Sequence, residues 1–115
     1  MDLQMIVDDL QLTVLTAPGP LAGVVPSGGY ASDLLSCVMA QAAHHSLWVT
    51  LQAHANVVAV AALLDLAAVI LTEGAQPEAG LLEKAAAEGV TLLATPRPSF
   101  EVVGRLWALG LRAPT

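Results

Sequence analysis

Three strand-then-helix units follow one another between residues 46 and 110 and leave little chain unassigned. The predicted strands are short apolar runs at residues 46–51, 66–72 and 89–95, and each precedes a turn and a helical pattern. Strands joined in this way by helices form a parallel sheet. We therefore predict an α/β domain whose three turns lie at one edge of the sheet, where open α/β folds bind ligands.

The remaining elements are assigned from periodicity and turn residues. Residues 3–10 form an amphipathic pattern, 12–15 and 21–25 read as strands, and 26–33 as a flexible loop. The predicted helices that follow the loop and the later strands cover residues 32–43, 56–64, 78–88 and 99–110. Ser99 is the expected N-cap of the last helix, and Gly89 and Gly110 are the expected helix ends. Residues 111–115 are expected to fray, so one domain spans 1–115 with its core at about 3–110.

The composition agrees with a buried sheet. Of the 115 residues, 56% are apolar and 12% are charged, against ~45–50% apolar in ordinary globular chains. A chain of this kind is not disordered, and its length suits a single domain. Apolar residues dominate and only 3% are aromatic, which indicates a mainly parallel sheet flanked by closely packed helices.

A membrane span is the alternative reading of the apolar run from residue 53 to 72. Asp65 lies near its middle, where a carboxylate costs about 2.5–3.5 kcal/mol on insertion scales. No Lys or Arg flanks the run, so a buried helix followed by a buried strand is preferred. The first residues are acidic (Asp2, Asp8 and Asp9) and do not resemble a secretory signal. We therefore expect no membrane partner and a cytoplasmic location.

Charge and cysteine content exclude further classes. The net charge is −6, and the fixed cations are Lys84, Arg97, Arg105 and Arg112. Nucleic-acid backbones are bound by clustered Lys and Arg, so no nucleic-acid partner is expected. A small phosphate ligand remains possible, because helix N-termini bind anions through backbone amides. The single Cys37 excludes an internal disulfide and a Cys-based zinc site, and its apolar neighbours favour an inert core thiol.

The candidate ligand-binding residues follow the predicted strands or form the glycine-containing loop. Backbone amides around the paired glycines could form an anion-binding nest, and Tyr30 could stack on a ring. His54 is the most interesting titratable side chain, at the first strand-end turn. Arg97 is the one cation on the predicted edge. The full set is Ser27, Gly28, Gly29, Tyr30, Gln52, His54, Asn56, Thr72, Gly74, Thr95, Arg97 and Ser99.

Each of these residues also has a structural interpretation. The paired glycines can form an ordinary turn, Tyr30 can pack on the core, and Asn56 can cap the following helix. A metal site built from His44, His45 and His54 requires convergence that the sequence does not indicate, so no metal and no cofactor is expected. Trp48 and Trp107 are interpreted as core or interface anchors.

Catalytic motifs are missing from the sequence. It contains no GxxxxGK[ST], no GxSxG, no HExxH and no GxGxxG after a strand. Most carboxylates lie on predicted helix faces, for example Glu78, Glu83 and Glu88, where solvation explains them. We therefore expect a non-catalytic domain.

Several short motifs occur in the order typical of one family. They are SGGYASDLLS at 27–36, LWVT at 47–50, LTEG at 71–74 and LATP at 93–96. With these, the chain from about residue 3 to 110 resembles a stand-alone DRTGG domain. It is more distantly similar to the N-terminal, non-kinase domain of HPr kinase/phosphorylase.

The resemblance implies a regulatory α/β domain. Relatives are fused to CBS domains in regulatory pyrophosphatases, where the combined region resembles a sensor of adenine nucleotides and diadenosine polyphosphates. Free-standing relatives are often encoded beside iron-only hydrogenase or NADH-oxidoreductase subunits. This chain departs from the pattern: family members have an Asp-Arg pair just after the strand that corresponds to residues 46–51, and here that turn is QAHAN at 52–56.

Two functional hypotheses follow. The first is a sensor of a small anionic metabolite, an adenine nucleotide first, with phosphates held by amides at the helix starts near Asn56, Glu78 and Ser99. The second is a protein-interaction subunit that docks on a redox, hydrogenase-type complex. The apolar content also indicates a homodimer, which would cover surplus apolar surface.

Overall fold

The computed structural model describes residues 1–113, which form five helices and a five-stranded sheet. The chain runs through α1 (Leu3–Leu10), β1 (Thr13–Thr16), β2 (Gly29–Ala31), α2 (Leu35–Gln41), β3 (Leu47–Thr50), α3 (Ala55–Leu63), β4 (Ala68–Leu71), α4 (Leu81–Glu88), β5 (Leu92–Ala94) and α5 (Ser99–Leu109). The sheet order is β1-β5-β4-β3-β2. Strands β2 to β5 are parallel, and β1 is antiparallel to β5. The predicted α/β class is confirmed.

The central strands are buried on both faces. Successive side chains of a strand point to opposite faces, and in these strands the side chains on both faces are mostly apolar. All residues of β3 and β4 are buried. One face packs against α1 and α5 through Ile6, Leu10 and Leu106, among others. The opposite face packs around Trp48 against α2, α3 and α4. Two core layers therefore enclose the sheet.

Helix ends follow local sequence signals in most cases. Gly89 and Gly110 adopt left-handed φ values of 70° and 107° at the ends of α4 and α5, as predicted. Asp2 caps α1 by accepting a hydrogen bond from Met5 N at 2.9 Å. Its second oxygen accepts from Gly23 N at 2.9 Å. These bonds favour the ionised form and lower the pKa of the Asp2 carboxyl.

The region between β1 and β3 differs from the prediction. Residues 21–25 are not a strand; Gly23 has a φ of 84° and the segment turns beside α1, where Val24 O accepts from Leu3 N at 2.8 Å. The strand of this region is instead β2, inside the predicted loop at 26–33. A strand of three residues is too short to show a recognisable alternation of apolar and polar residues in the sequence.

Smaller corrections concern helix starts and exposure. Helix α4 begins at Leu81, not at residue 78. The N-cap of α5 is Pro98 and not Ser99. Helix α3 is not buried all round, because Leu63 is 65% exposed. Cys37 is half-buried, so it borders the core.

The predicted frayed tail is partly wrong. Leu111 is buried, and Arg112 O accepts a hydrogen bond from Gly29 N at 2.9 Å. Residues 114–115, the rest of that predicted tail, lie outside the described residues. No helix within residues 1–113 is both long and apolar enough to cross a membrane.

Candidate functional site

The carboxyl ends of β2 to β5 meet at one edge of the sheet, as the strand order requires for parallel strands. The loops that leave this edge begin at residues 32, 51, 72 and 95. Because β1 is antiparallel, its first residue Thr13 and the preceding Gln11 also lie there. We call this region the carboxyl edge. It contains most of the predicted site residues.

Asp33 organises the β2 and β3 ends of the carboxyl edge. One carboxylate oxygen accepts hydrogen bonds from the buried Thr50 hydroxyl and from Leu51 N, both at 2.8 Å. The Gln52 side-chain amide donates to Asp33 O at 3.0 Å. The predicted ligand-binding amide of Gln52 is therefore used within the protein. No local sequence signal marks this role of Asp33, because Asp33 and Thr50 are 17 positions apart.

His54 is paired with a carboxylate at the start of α3. Its Nδ1 lies 3.3 Å from Glu78 Oε2, and Glu78 Oε1 accepts from Ala55 N at 3.3 Å. Glu78 therefore occupies the first amide of α3, at the helix start, where anions are favoured. Asn56 is exposed and does not cap this helix, whose N-cap is His54.

A second carboxylate occupies the start of α5. Ser99 N donates to Glu73 Oε2 at 2.7 Å. Glu73 adopts a left-handed φ of 61°, and its own N–H donates to Arg97 O at 2.9 Å. The Thr72 and Ser99 hydroxyls are hydrogen-bonded to each other. The loops after β4 and β5 are thus joined by their own polar groups.

Arg97 is held by neighbouring side chains. Its Nη2 donates to Gln11 Oε1 at 3.4 Å. Its Nη1 lies 3.4 Å from Glu101 Oε2 and, among the described residues, has no partner with hydrogen-bond geometry. The side chain is only 23% exposed. Arg97 therefore interacts with Gln11 and Glu101 and is not extended into solvent.

A crevice of about 250 Å³ opens at the carboxyl edge between β1, β5 and the loop after β4. Two of the predicted residues, Gly74 and Thr95, form part of its wall together with Thr13 and Gln76. Gly74 has a φ of 66°, a conformation that favours glycine. This crevice provides room for a ligand at the carboxyl edge.

The glycine-containing loop lies elsewhere. Gly29 pairs with Leu47 at the start of β3, so residues 27–29 belong to the opposite, amino edge of the sheet. Ser27 donates from its hydroxyl to His44 O at 2.7 Å. Neither Gly28 nor Gly29 has a positive φ, so the predicted nest is not formed. A Cβ on Gly29 would lie 2.9 Å from Leu111 Cδ2, so a larger residue there would have to displace the Leu111 side chain.

Two further predictions concern aromatic and histidine side chains. Tyr30 packs against the core cluster around Trp48. His45 pairs with Asp65 at 3.4 Å at the amino edge, whereas His54 lies at the carboxyl edge. Within residues 1–113, no group of three or more His, Cys, Asp and Glu side chains converges as metal ligands.

Comparisons with known proteins support the fold. No family model matches this sequence, and no curated protein matches it. A solved structure is similar: the CBS and DRTGG domains of the regulatory region of Clostridium perfringens pyrophosphatase, complexed with the activator diadenosine tetraphosphate. The TM-score is 0.70 at 18% identity, over 97% of this chain and 48% of the other. This chain thus spans about half of that structure's length and shares its fold over that part.

Proposed function

We propose that this chain is a non-catalytic regulatory domain that binds a small anionic ligand, an adenine nucleotide first. The observation that carries the proposal is the crevice at the carboxyl edge, lined by Gly74 and Thr95. It lies where parallel α/β sheets bind ligands. The similar pyrophosphatase region was solved with diadenosine tetraphosphate, which is why adenine nucleotides come first.

The contacts within the edge restrict how such a ligand binds. Glu78 and Glu73 already accept from the first amide of α3 and of α5, respectively, so a phosphate that used either of these two amides would have to displace a carboxylate. Within the crevice, Gly74 N and Ala75 N already donate to neighbouring carbonyls, and the buried Thr95 hydroxyl accepts from Arg97 N. The exposed Thr13 hydroxyl and the backbone of Gln76 are the polar groups of its wall that we assign to the ligand. The proposal therefore places the ligand's ring or ribose in the crevice and its phosphates toward solvent.

The test is calorimetric titration with ATP, ADP, AMP and diadenosine tetraphosphate. Ala75→Trp fills the crevice and is expected to abolish binding, because Ala75 lines its wall. Ala87→Trp, on the exposed side of α4, is the matched control and is expected to bind like the wild type. Binding by neither the wild type nor the control would reject the nucleotide proposal.

A thermal-shift screen extends the test to other phosphorylated metabolites. A ligand at ~100 times its dissociation constant adds about 2.7 kcal/mol of stability. For a domain of this size, that is a shift of several degrees in Tm. Equal shifts for the wild type and Ala75→Trp would place the ligand outside the crevice.

The second candidate is an accessory subunit that docks on another protein. It is supported by exposed apolar side chains on two helical surfaces, such as Phe100 at 92% and Leu63 at 65% exposure. A redox, hydrogenase-type complex is the partner suggested by the family resemblance, and a homodimer is the simplest alternative. Light scattering over a range of concentrations separates a homodimer from a monomer that awaits another protein.

A further inference from the structure

Helix α3 has one side that no other part of the described chain covers. Apart from Asn56, its residues are apolar on every side, and a helix of that kind is normally buried all round. The sheet, α2 and α4 pack against it, but Asn56, Ala59 and Leu63 are exposed. Their spacing of three and four residues places them in one stripe along the helix. The stripe therefore lacks the cover that its composition normally has.

A groove runs beside this stripe, between α2 and α3. It has a volume of about 300 Å³ and a mostly apolar wall, and no charged residue lines it. Met39 on α2 and Leu63 on α3 border the groove and are 51% and 65% exposed. The other lining residues are Leu35, Asn56, Ala59 and Val60. We call the stripe and the groove together the α2–α3 face. This face offers both a groove and large apolar side chains that could fill one.

The α2–α3 face carries no fixed charge. Residues 34–64 contain no Asp, Glu, Lys or Arg, although the net charge of the chain is −6. The two aspartates that border this stretch contact other groups: Asp33 accepts from Thr50, and Asp65 lies 3.4 Å from His45. Two copies of an acidic chain repel each other where their charges approach, so they meet most easily at a face without charges. A partner selected by charge would find no group to pair with here.

The second apolar region is the corner formed by α5 and β2, and it differs in charge. Phe100 and Trp107 are exposed there. Glu101 and Arg105 lie on the same helix, and the Arg112 guanidinium lies 4.0 Å from the centre of the Trp107 ring. Self-association at this corner would have to desolvate or displace these charges, which is costly. The α2–α3 face is therefore the better surface for a second copy.

We propose that the α2–α3 face is the interface of a two-fold symmetric homodimer. The two α3 helices lie antiparallel, with Ala59 beside the two-fold axis. Ala59 is at the middle of the stripe, and its short side chain lets the two helices approach closely. Leu63 of each copy then enters the groove of the other copy. A two-fold interface requires one surface to supply both the groove and the side chain that fills it, as this face does.

This assignment rests on the docking candidate above and is independent of nucleotide binding at the carboxyl edge. The interface is small, because the nine residues of α3 rise only ~14 Å and two packed helices are about 20 Å wide. Interfaces at the low end of the size range form weak complexes. We therefore expect a reversible dimer whose dissociation constant lies between the micromolar and the millimolar range.

The first experiment is sedimentation equilibrium of the full chain from micromolar to millimolar concentration. The wild type is expected to show a monomer–dimer equilibrium. Leu63→Glu should raise its dissociation constant by about tenfold or more, because a carboxylate is costly to bury in an apolar groove. Phe100→Glu adds the same charge at a 92% exposed position on α5; it is the matched control and should dimerise like the wild type. If thermal melts show that Leu63→Glu does not fold, Met39→Glu replaces it.

Disulfide cross-linking tests the two-fold geometry. In a Cys37→Ser background, Ala59→Cys places a single thiol beside the proposed axis. Oxidation should then link two copies, because a residue meets its own counterpart only near a two-fold axis. Ala87→Cys in the same background, on the exposed side of α4, is the control and should remain monomeric on a non-reducing gel.

Several results would overturn the assignment. A wild type that sediments as a monomer at every concentration would do so, and would leave the α2–α3 face to another protein. A dimer that Leu63→Glu leaves intact, or that Phe100→Glu weakens equally, would place the interface elsewhere. Equal cross-linking of Ala59→Cys and Ala87→Cys would contradict the position of the axis. The nucleotide titration of the wild-type protein reports separately on the carboxyl edge.

Discussion

The carboxyl edge and the corner around α5 and β2 differ in how far their exposed groups find partners within the chain. At the carboxyl edge, Asp33, Glu73 and Glu78 each accept hydrogen bonds from a neighbouring loop. At the corner, Phe100 and Trp107 remain largely exposed, and a cavity stays open beside Trp107. Polar groups that converge can satisfy one another, whereas an apolar surface is covered only by more chain. The predicted site is therefore the more self-contained of the two regions.

The tryptophans provide the largest test of this contrast. Trp48 is fully buried and donates its indole N–H to Ser32 O at 2.9 Å, whereas Trp107 is 57% exposed. We expect Trp48→Ala to lower the free energy of unfolding by about 3–5 kcal/mol, because it leaves a large cavity. Trp107→Ala should cost about 1 kcal/mol or less. Urea denaturation of both variants measures the difference. Equal losses of unfolding free energy would show that Trp107 contributes to the packing of α5 as much as a core residue does.

A smaller effect is expected from the polar network. Asp33→Ala removes the acceptor of the buried Thr50 hydroxyl and of Leu51 N, so we expect a loss of about 1–3 kcal/mol in unfolding free energy. Asp33→Asn keeps one side-chain oxygen and should lose less. At the corner, Arg105→Ala should change stability by no more than about 0.5 kcal/mol. If Asp33→Ala left the unfolding free energy unchanged, water would have to replace the carboxylate, and this part of the edge would be accessible to ligands.

The smallest effect concerns the start of α5. Glu73→Gln removes the negative charge beside Ser99 N and should cost about 0.3–1 kcal/mol of stability. If nucleotide phosphates reach this helix start, the same change should strengthen ATP binding several-fold, because a competing carboxylate is gone. Calorimetry on Glu73→Gln and the wild type decides this. An ATP affinity that is the same for Glu73→Gln and the wild type would indicate that the phosphates point away from the start of α5.

The element types of residues 46–110 could be predicted from the sequence, and the reason is local. Three buried apolar strands alternate with helices that end at Gly89 and Gly110, and each signal lies within a few residues of the element it defines. The parallel direction of these strands and the edge at which their turns meet follow from this alternation. The same local reasoning failed at residues 21–33, where β2 is three residues long and Gly23 turns the chain.

The sequence by itself therefore determined the α/β class, the parallel strands and the edge where the loops converge. Only the tertiary structure decided which polar groups remain available there, because Glu73, Glu78 and Asp33 contact residues 18 to 26 positions away. It also decided that Ser27 to Gly29 lie at the opposite edge, through the register of β2 on β3. Periodicity reports which face of an element is apolar, whereas the partners of a side chain depend on how distant segments pack.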